Sequence, residues 1–283
     1  MSRADLTAIL LYTSLYILSI SLLLFLNIES LQTVLPFSLP LLALNILVYF
    51  LTKGYTPGDY DLRNKVYAVP LFIISLILYY SINIPEFGGV WPLNSVISKL
   101  LFLFALPAAY FLIVEKGYIS YLFRMKNPKK ELKVALLTAL LIIIPTIFYN
   151  QKSILSGGVT LSNLIVAFPV ALIYYFFHAA LPEEFCFRAF LQENMAQISK
   201  SRVFGLVSQA LIFGLLHVSG IIGWYHIGVY EALARAILIQ SALGLVFGYI
   251  WEKTRSLASP IILHALIDAV SNINLIARRI YGF

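Results

Sequence analysis

Three short runs in the C-terminal part of the chain set ionisable residues among apolar ones. They are Leu-Pro-Glu183-Glu184-Phe-Cys-Phe-Arg188, Phe213-Gly-Leu-Leu-His217 and His264-Ala-Leu-Ile-Asp268. A charged or titratable group is costly in hydrocarbon, so its presence there marks chemistry or a paired structural role. Glu184 and Arg188 are four residues apart with the acid first, the favourable order for a helical ion pair. Glu183 points about 100° away from Glu184 on a helix and is left to face another partner. A carboxylate in an apolar cavity suits a general base that takes a proton from water. His264 and Asp268 share the same four-residue spacing, so the acid can orient the ring as a donor. Such a donor stabilises the oxyanion formed when water attacks a carbonyl.

Most of the remaining polar residues invite bland readings. His178 lies on the same stretch as Glu183 but about 140° round from it, and His226 sits near Trp224 and Tyr225 between stretches. Both are expected to be structural. Cys186, the single cysteine, excludes an intrachain disulfide and reads as a small apolar filler. Gly244-Leu-Val-Phe-Gly248, preceded by Ser241, is a small-xxx-small pattern that lets its helix approach a neighbour closely. Pro182 is expected to distort the helix just before Glu183 and to open the site to water.

The elements that must carry these residues are membrane helices. The chain is 60% hydrophobic and 12% charged over 283 residues, with a mean hydropathy of +0.88, whereas soluble domains carry about a quarter charged residues. Nine apolar stretches can be marked: Leu6–Leu26, Val34–Leu51, Val66–Ile84, Val96–Val114, Val134–Tyr149, Leu164–Phe190, Phe204–Ser219, Ala234–Trp251 and Leu257–Leu275. Each true span must be helical, because lipid offers the backbone no hydrogen bonds. The expected fold is therefore an all-α, polytopic transmembrane bundle of eight or nine spans, the fifth and seventh stretches being short. The first stretch is too long for a signal-peptide core and reads as a retained span.

Net charge is +7. With the N-terminus in the cytoplasm, fifteen of the twenty Lys and Arg residues fall on the inner side. They include Lys53, Arg63 and Lys65 in one loop and the cluster from Lys116 to Lys133 in the next. Lys99, Lys152, Arg235, Arg278 and Arg279 fall on the outer side or at outer helix ends. This regular alternation explains the positive charge as a topology signal rather than a nucleic-acid footprint. The expected location is an integral membrane one, the plasma membrane in a chain without targeting signals. The first 160 or so residues show no ionisable group well inside a stretch, so residues 1–160 read as helices of unassigned role and 161–283 as the functional core.

Lys200 lies midway between Glu183 and His217, in the polar run Gln197-Ile-Ser-Lys-Ser-Arg202. A helical hairpin about that turn puts Glu183 and His217 at one depth. His264 follows the basic pair Lys253/Arg255 by about nine residues and also lies within the membrane. Three helices can then present a carboxylate and two imidazoles to one cavity.

The motifs Glu-Glu-x-x-x-Arg, Phe-x-x-x-His and His-x-x-x-Asp, in this order, resemble the CAAX prenyl endopeptidase and bacteriocin-processing family of intramembrane glutamate proteases. The resemblance covers roughly 164–275. It implies that Glu183 and His217 activate water, that His264 and Asp268 stabilise the oxyanion, and that Glu184 and Arg188 form a supporting ion pair. It also implies catalysis without metal or other cofactor on a membrane-associated protein or peptide substrate, prenylated or not, in the lipid bilayer. The CAAX-processing branch typically has Asn where this chain has Asp268; Asp268 is thus expected to orient His264 rather than donate. Other readings of the same cluster are a zinc site, a proton-coupled transporter and a non-catalytic bacteriocin-immunity protein. Chelator sensitivity, solute flux in liposomes, or function retained by Glu183→Gln would mark each of these in turn.

Overall fold

The computed structural model describes residues 2–26, 30–53, 67–86, 91–115 and 118–282. Arg63, Lys65, Val66 and Lys116, used above for topology, lie outside the described residues. Every regular element among the described residues is helical. Those elements are α1 (Arg3–Phe25), α2 (Ser30–Leu51), α3 (Ala68–Ser81), α4 (Leu93–Ile113), α5 (Tyr118–Leu122), α6 (Pro128–Ile154), α7 (Leu161–Ser199), α8 (Arg202–Tyr225), α9 (Val229–Thr254), α10 (Ala258–Ser271) and α11 (Ile273–Tyr281). Seven helices are long and apolar enough to cross a membrane, and α10 with α11, bent by 60°, makes an eighth if the pair is one span. Large apolar side chains such as Leu18, Ile46, Leu112, Ile144 and Ile173 stand on the outside of these helices, as a lipid-facing surface requires. The protein is an integral membrane protein of about eight spans.

Two of the expected stretches take a different form. The third is a helix of 14 residues, Ala68–Ser81, about 21 Å at 1.5 Å per residue. The ninth is not one helix but two, broken at Asn272, whose φ of −113° and ψ of 12° leave the helical region.

Contacts divide the chain into two compact units, each drawing on both halves of the sequence: residues 1–69 with 187–255, and residues 70–186 with 256–283. In the first, α8 and α9 pack together along glycines, and α1 and α2 lie against them. Its core gathers Tyr12, Tyr16, Leu23, Val207, Leu211 and Leu238. The expected close approach along Gly244 and Gly248 is present: a Cβ on Gly244 would stand 3.0 Å from Ala210 Cα, and one on Gly248 would stand 2.3 Å from Gln209 Nε2. The exposed carbonyls are used. Gln209 Nε2 donates to the Gly244 carbonyl at 2.9 Å, and Gln192 Nε2 donates to the Gly248 carbonyl at 3.0 Å. The hairpin turn lies where the sequence places it, with Lys200 left-handed at φ 54° and the Ser201 hydroxyl capping α8 through the Phe204 amide.

In the second unit α10 packs on α6 and on α7, α11 packs on α7, and α4 also meets α7. Small residues Ala167, Ala171, Ala269 and Ala277 allow these approaches. Phe185 packs against the rings of Phe104, Phe111 and Phe123. The Glu131 carboxylate receives the amides of Lys126 and Asn127 at 2.8 and 3.0 Å, which closes the start of α6.

Candidate active site

The helices that hold the ionisable residues are not uniform. In α4 a π-helical segment runs over Leu100–Ala105, and in α7 two more cover Phe176–Ala180 and Phe185–Gln192. Leu106 bonds back five residues to Leu101, and Leu181 bonds back five residues to Phe176. In both places a proline follows at once, Pro107 and Pro182. Proline has no amide hydrogen to give to the residue four before it, so a wider turn accommodates it at low cost. The distortion expected at Pro182 is therefore real, and it takes the form of an altered register around Glu183.

That register sets the geometry of the second unit's polar cluster. Lys99 Nζ donates to Glu183 Oε1 at 2.5 Å, the two side chains being 14% and 7% exposed. His264 Nδ1 stands 2.7 Å from Glu184 Oε1, the carboxylate being fully buried. His264 Nε2 stands 3.4 Å from Asp268 Oδ2, on a side chain 29% exposed. The imidazole thus has a carboxylate at each nitrogen, and its protonated form donates to both. His178 Nε2 and Ser95 Oγ are 3.0 Å apart, and the His178 ring stacks on Tyr174 with centroids 5.1 Å apart. Beside them an apolar cavity of about 340 Å³ is lined by Trp91, Leu93, Val96, Val170, Ile173, Tyr174 and Phe177.

His217 and Arg188 belong to the first unit. His217 interrupts α8, with φ −85° and ψ −8° between its two helical halves. Its Nδ1–H donates to the Phe213 carbonyl at 2.7 Å, which leaves Nε2 as the nitrogen open to another partner's proton when the ring is neutral. The ring also rests on Phe213, centroids 4.6 Å apart. Arg188 is fully buried with its guanidinium over the rings of Phe213, Phe247 and Phe187, at 4.6, 5.2 and 5.9 Å. Delocalised charge on an aromatic face is the form in which an apolar interior best tolerates an arginine.

The structure places Glu183, Glu184, His264 and Asp268 within one unit, with Asp268 3.4 Å from His264 Nε2. It adds the pair between Glu184 and His264, which lie 80 residues apart. The sequence pattern, which sets Lys99 at an outer helix end, does not show its pairing with Glu183. Lys99 is the seventh residue of α4 and, 14% exposed, pairs with Glu183. The apolar stretch read from the sequence began at Val96, which put Lys99 at its edge; the helix begins three residues earlier, at Leu93. Among the described residues, no group of three or more His, Cys, Asp or Glu side chains is arranged to hold a metal ion.

An all-α integral membrane protein with paired carboxylates and imidazoles inside its helices narrows the class, and comparison with known families agrees. Residues 165–270 match the family model described as Type II CAAX prenyl endopeptidase Rce1-like. The matched segment holds all three motifs, from Glu183 to Asp268, and stops short of Lys99. No curated protein and no solved structure matches the chain significantly.

Proposed function

We propose that this protein is an intramembrane endopeptidase that hydrolyses a peptide bond close to the membrane-held C-terminus of a protein substrate, with Glu183 as the base that activates water. The observation that carries the reading is the match of residues 165–270 to an endopeptidase family, together with the paired carboxylates that the structure sets inside that segment. Residues 161–283 supply the reacting groups, and the segment 1–160 contributes Ser95 and Lys99.

In this mechanism Glu183 takes a proton from water, a task that the family resemblance extends to His217. The water oxygen bonds to the scissile carbonyl carbon, and the negative charge that develops on the carbonyl oxygen is met by the His264 imidazolium. Glu184 and Asp268 hold that ring. The apolar cavity along α4 and α7 suits an apolar group attached near the scissile bond, whether a prenyl chain or large aliphatic side chains.

The test is cleavage of a farnesylated C-terminal CAAX peptide by detergent-purified protein, beside the unprenylated peptide, with and without chelator. Wild type is expected to cleave in both the presence and absence of chelator, and Glu183→Ala and His217→Ala are each expected to abolish turnover. Cleavage retained by Glu183→Ala would overturn the assigned base, and loss of activity with chelator, restored by zinc, would move the chemistry to a metal. Preference for the farnesylated over the plain peptide assigns the substrate class.

A further inference from the structure

We infer that Lys99 is the charge-pairing and positioning partner of Glu183, and so part of the working site although it lies outside the segment that matches the protease family. The inference rests on the reading of Glu183 as the base. An ammonium and a carboxylate 2.5 Å apart, both nearly shielded from solvent, form a committed pair rather than a passing surface contact. The local backbone is built around it. The π-helical turn Leu100–Ala105 begins at the residue after Lys99, and the two π-helical turns of α7 flank the short α-helical stretch Leu181–Glu184. Both helices thus depart from α-geometry where the pair forms, a placement typical of functional sites.

A purely structural pair explains the arrangement poorly. Removing two ions from water costs about as much as their attraction returns, so apolar side chains would hold α4 to α7 as well. The chemistry gives the pair a purpose. A base must rest as a carboxylate, and a carboxylate without a countercharge in an apolar interior takes up a proton instead. Lys99 is the countercharge. The proton taken from water goes to the Glu183 carboxylate. An O–H bond of water then breaks, the water oxygen bonds to the carbonyl carbon, and the carbonyl electron pair moves onto its oxygen. When the C–N bond breaks, the proton on Glu183 passes to the leaving amine and the carboxylate returns to its pair. Lys99 keeps its own protons throughout, and its positive charge remains in place while negative charge moves from Glu183 to the oxyanion.

The test compares wild type, Lys99→Met, Lys99→Arg and Glu183→Gln, each full-length in detergent, on the farnesylated peptide. Lys99→Met is expected to lower kcat by about 10²- to 10³-fold, the usual loss on removing a charge that supports a reacting group, with KM unchanged. Lys99→Arg, which keeps the cation, recovers most of that loss. Wild-type kcat in Lys99→Met would overturn the inference, as would equal losses in Lys99→Met and Lys99→Arg. Infrared difference spectra decide independently of turnover. The carboxylate band that Glu183→Gln removes from the wild-type spectrum is expected to be replaced, in Lys99→Met, by a protonated carboxyl band. Persistence of the carboxylate band would overturn the inference even if the wild type cleaved no peptide and the proposed activity itself had failed. Should Lys99→Met not fold, the exchanged pair Lys99→Glu with Glu183→Lys keeps the attraction but moves the base. It is expected to fold without cleaving, and cleavage by it would overturn the assignment.

Discussion

His264 has two carboxylate neighbours, and their geometry ranks them. Glu184 is fully buried and lies 2.7 Å from Nδ1, whereas Asp268 is 29% exposed and lies 3.4 Å from Nε2. The four-residue spacing made Asp268 the natural orienter, because a sequence displays its helical neighbours and hides a partner 80 residues away. A buried hydrogen bond to a charged group contributes about 1.5–3 kcal/mol, while a part-exposed ion pair contributes about 0–1 kcal/mol. Glu184→Gln should therefore lower kcat by roughly 10- to 100-fold and Asp268→Asn by no more than about fivefold. Steady-state kinetics on the farnesylated peptide would measure both, and the reverse order would restore Asp268 as the residue that holds the ring. The long bond at Nε2 also has a chemical sense. The nitrogen with the looser partner is the one able to turn toward an oxyanion.

At the scale of the element, the hydrophobic pattern made the helices legible and left their irregularities hidden. Pro182 announced a distortion, and Gly244 and Gly248 announced a close approach; both are present. The π-helical turns carry no pattern of their own, since every residue in Leu100–Ala105 is apolar and reads as unbroken helix. Lys99 was missed for the same reason, an edge placed three residues late. Close packing along α8 is testable through its glycines. A Cβ on Gly205 would meet the Gln192 backbone oxygen at 2.6 Å and Ala196 Cβ at 2.7 Å, whereas one on Gly223 would meet nothing within 4 Å. Backbone cannot swing aside as a side chain can, so Gly205→Ala should destabilise by about 1–3 kcal/mol, as overpacking does. Gly223→Ala should instead be neutral or stabilise by a few tenths of a kcal/mol up to about 1 kcal/mol, from helix propensity. Trp251, fully buried in the same unit as Gly205, gives the readout, because its fluorescence changes once the packing opens. The change during a denaturant titration should begin earlier in Gly205→Ala than in wild type, and coincident curves would contradict the packing described.

For the whole molecule, the basic residues and the helices pull against each other at α3. By length, 14 residues span about 21 Å, short of a hydrocarbon core of about 30 Å. By charge, α3 is expected to cross as a further span. If it did not, Lys53 with Arg63 and Lys65 would lie on the opposite face from Lys126, Lys129, Lys130 and Lys133, and the alternation would break from that point to the C-terminus. Two effects reconcile the views. A bilayer thins locally around a short helix at a cost of only fractions of a kcal/mol per Å, and flanking residues can reach to the interface. Orientation is the stronger constraint, because misplacing a cluster of cations costs more than accommodating a few ångströms of mismatch. The expected topology is therefore a cytoplasmic N-terminus, the segment after α3 outside, and the loop before α6 inside. Alkaline phosphatase, active only when exported, should be active when fused after Glu86 and inactive when fused after Lys53 or Asn127, while a fluorescent protein that folds only in the cytoplasm should show the complementary pattern. Phosphatase activity after Asn127 with none after Glu86 would mean that α3 does not cross, and would put the basic cluster before α6 on the outer face.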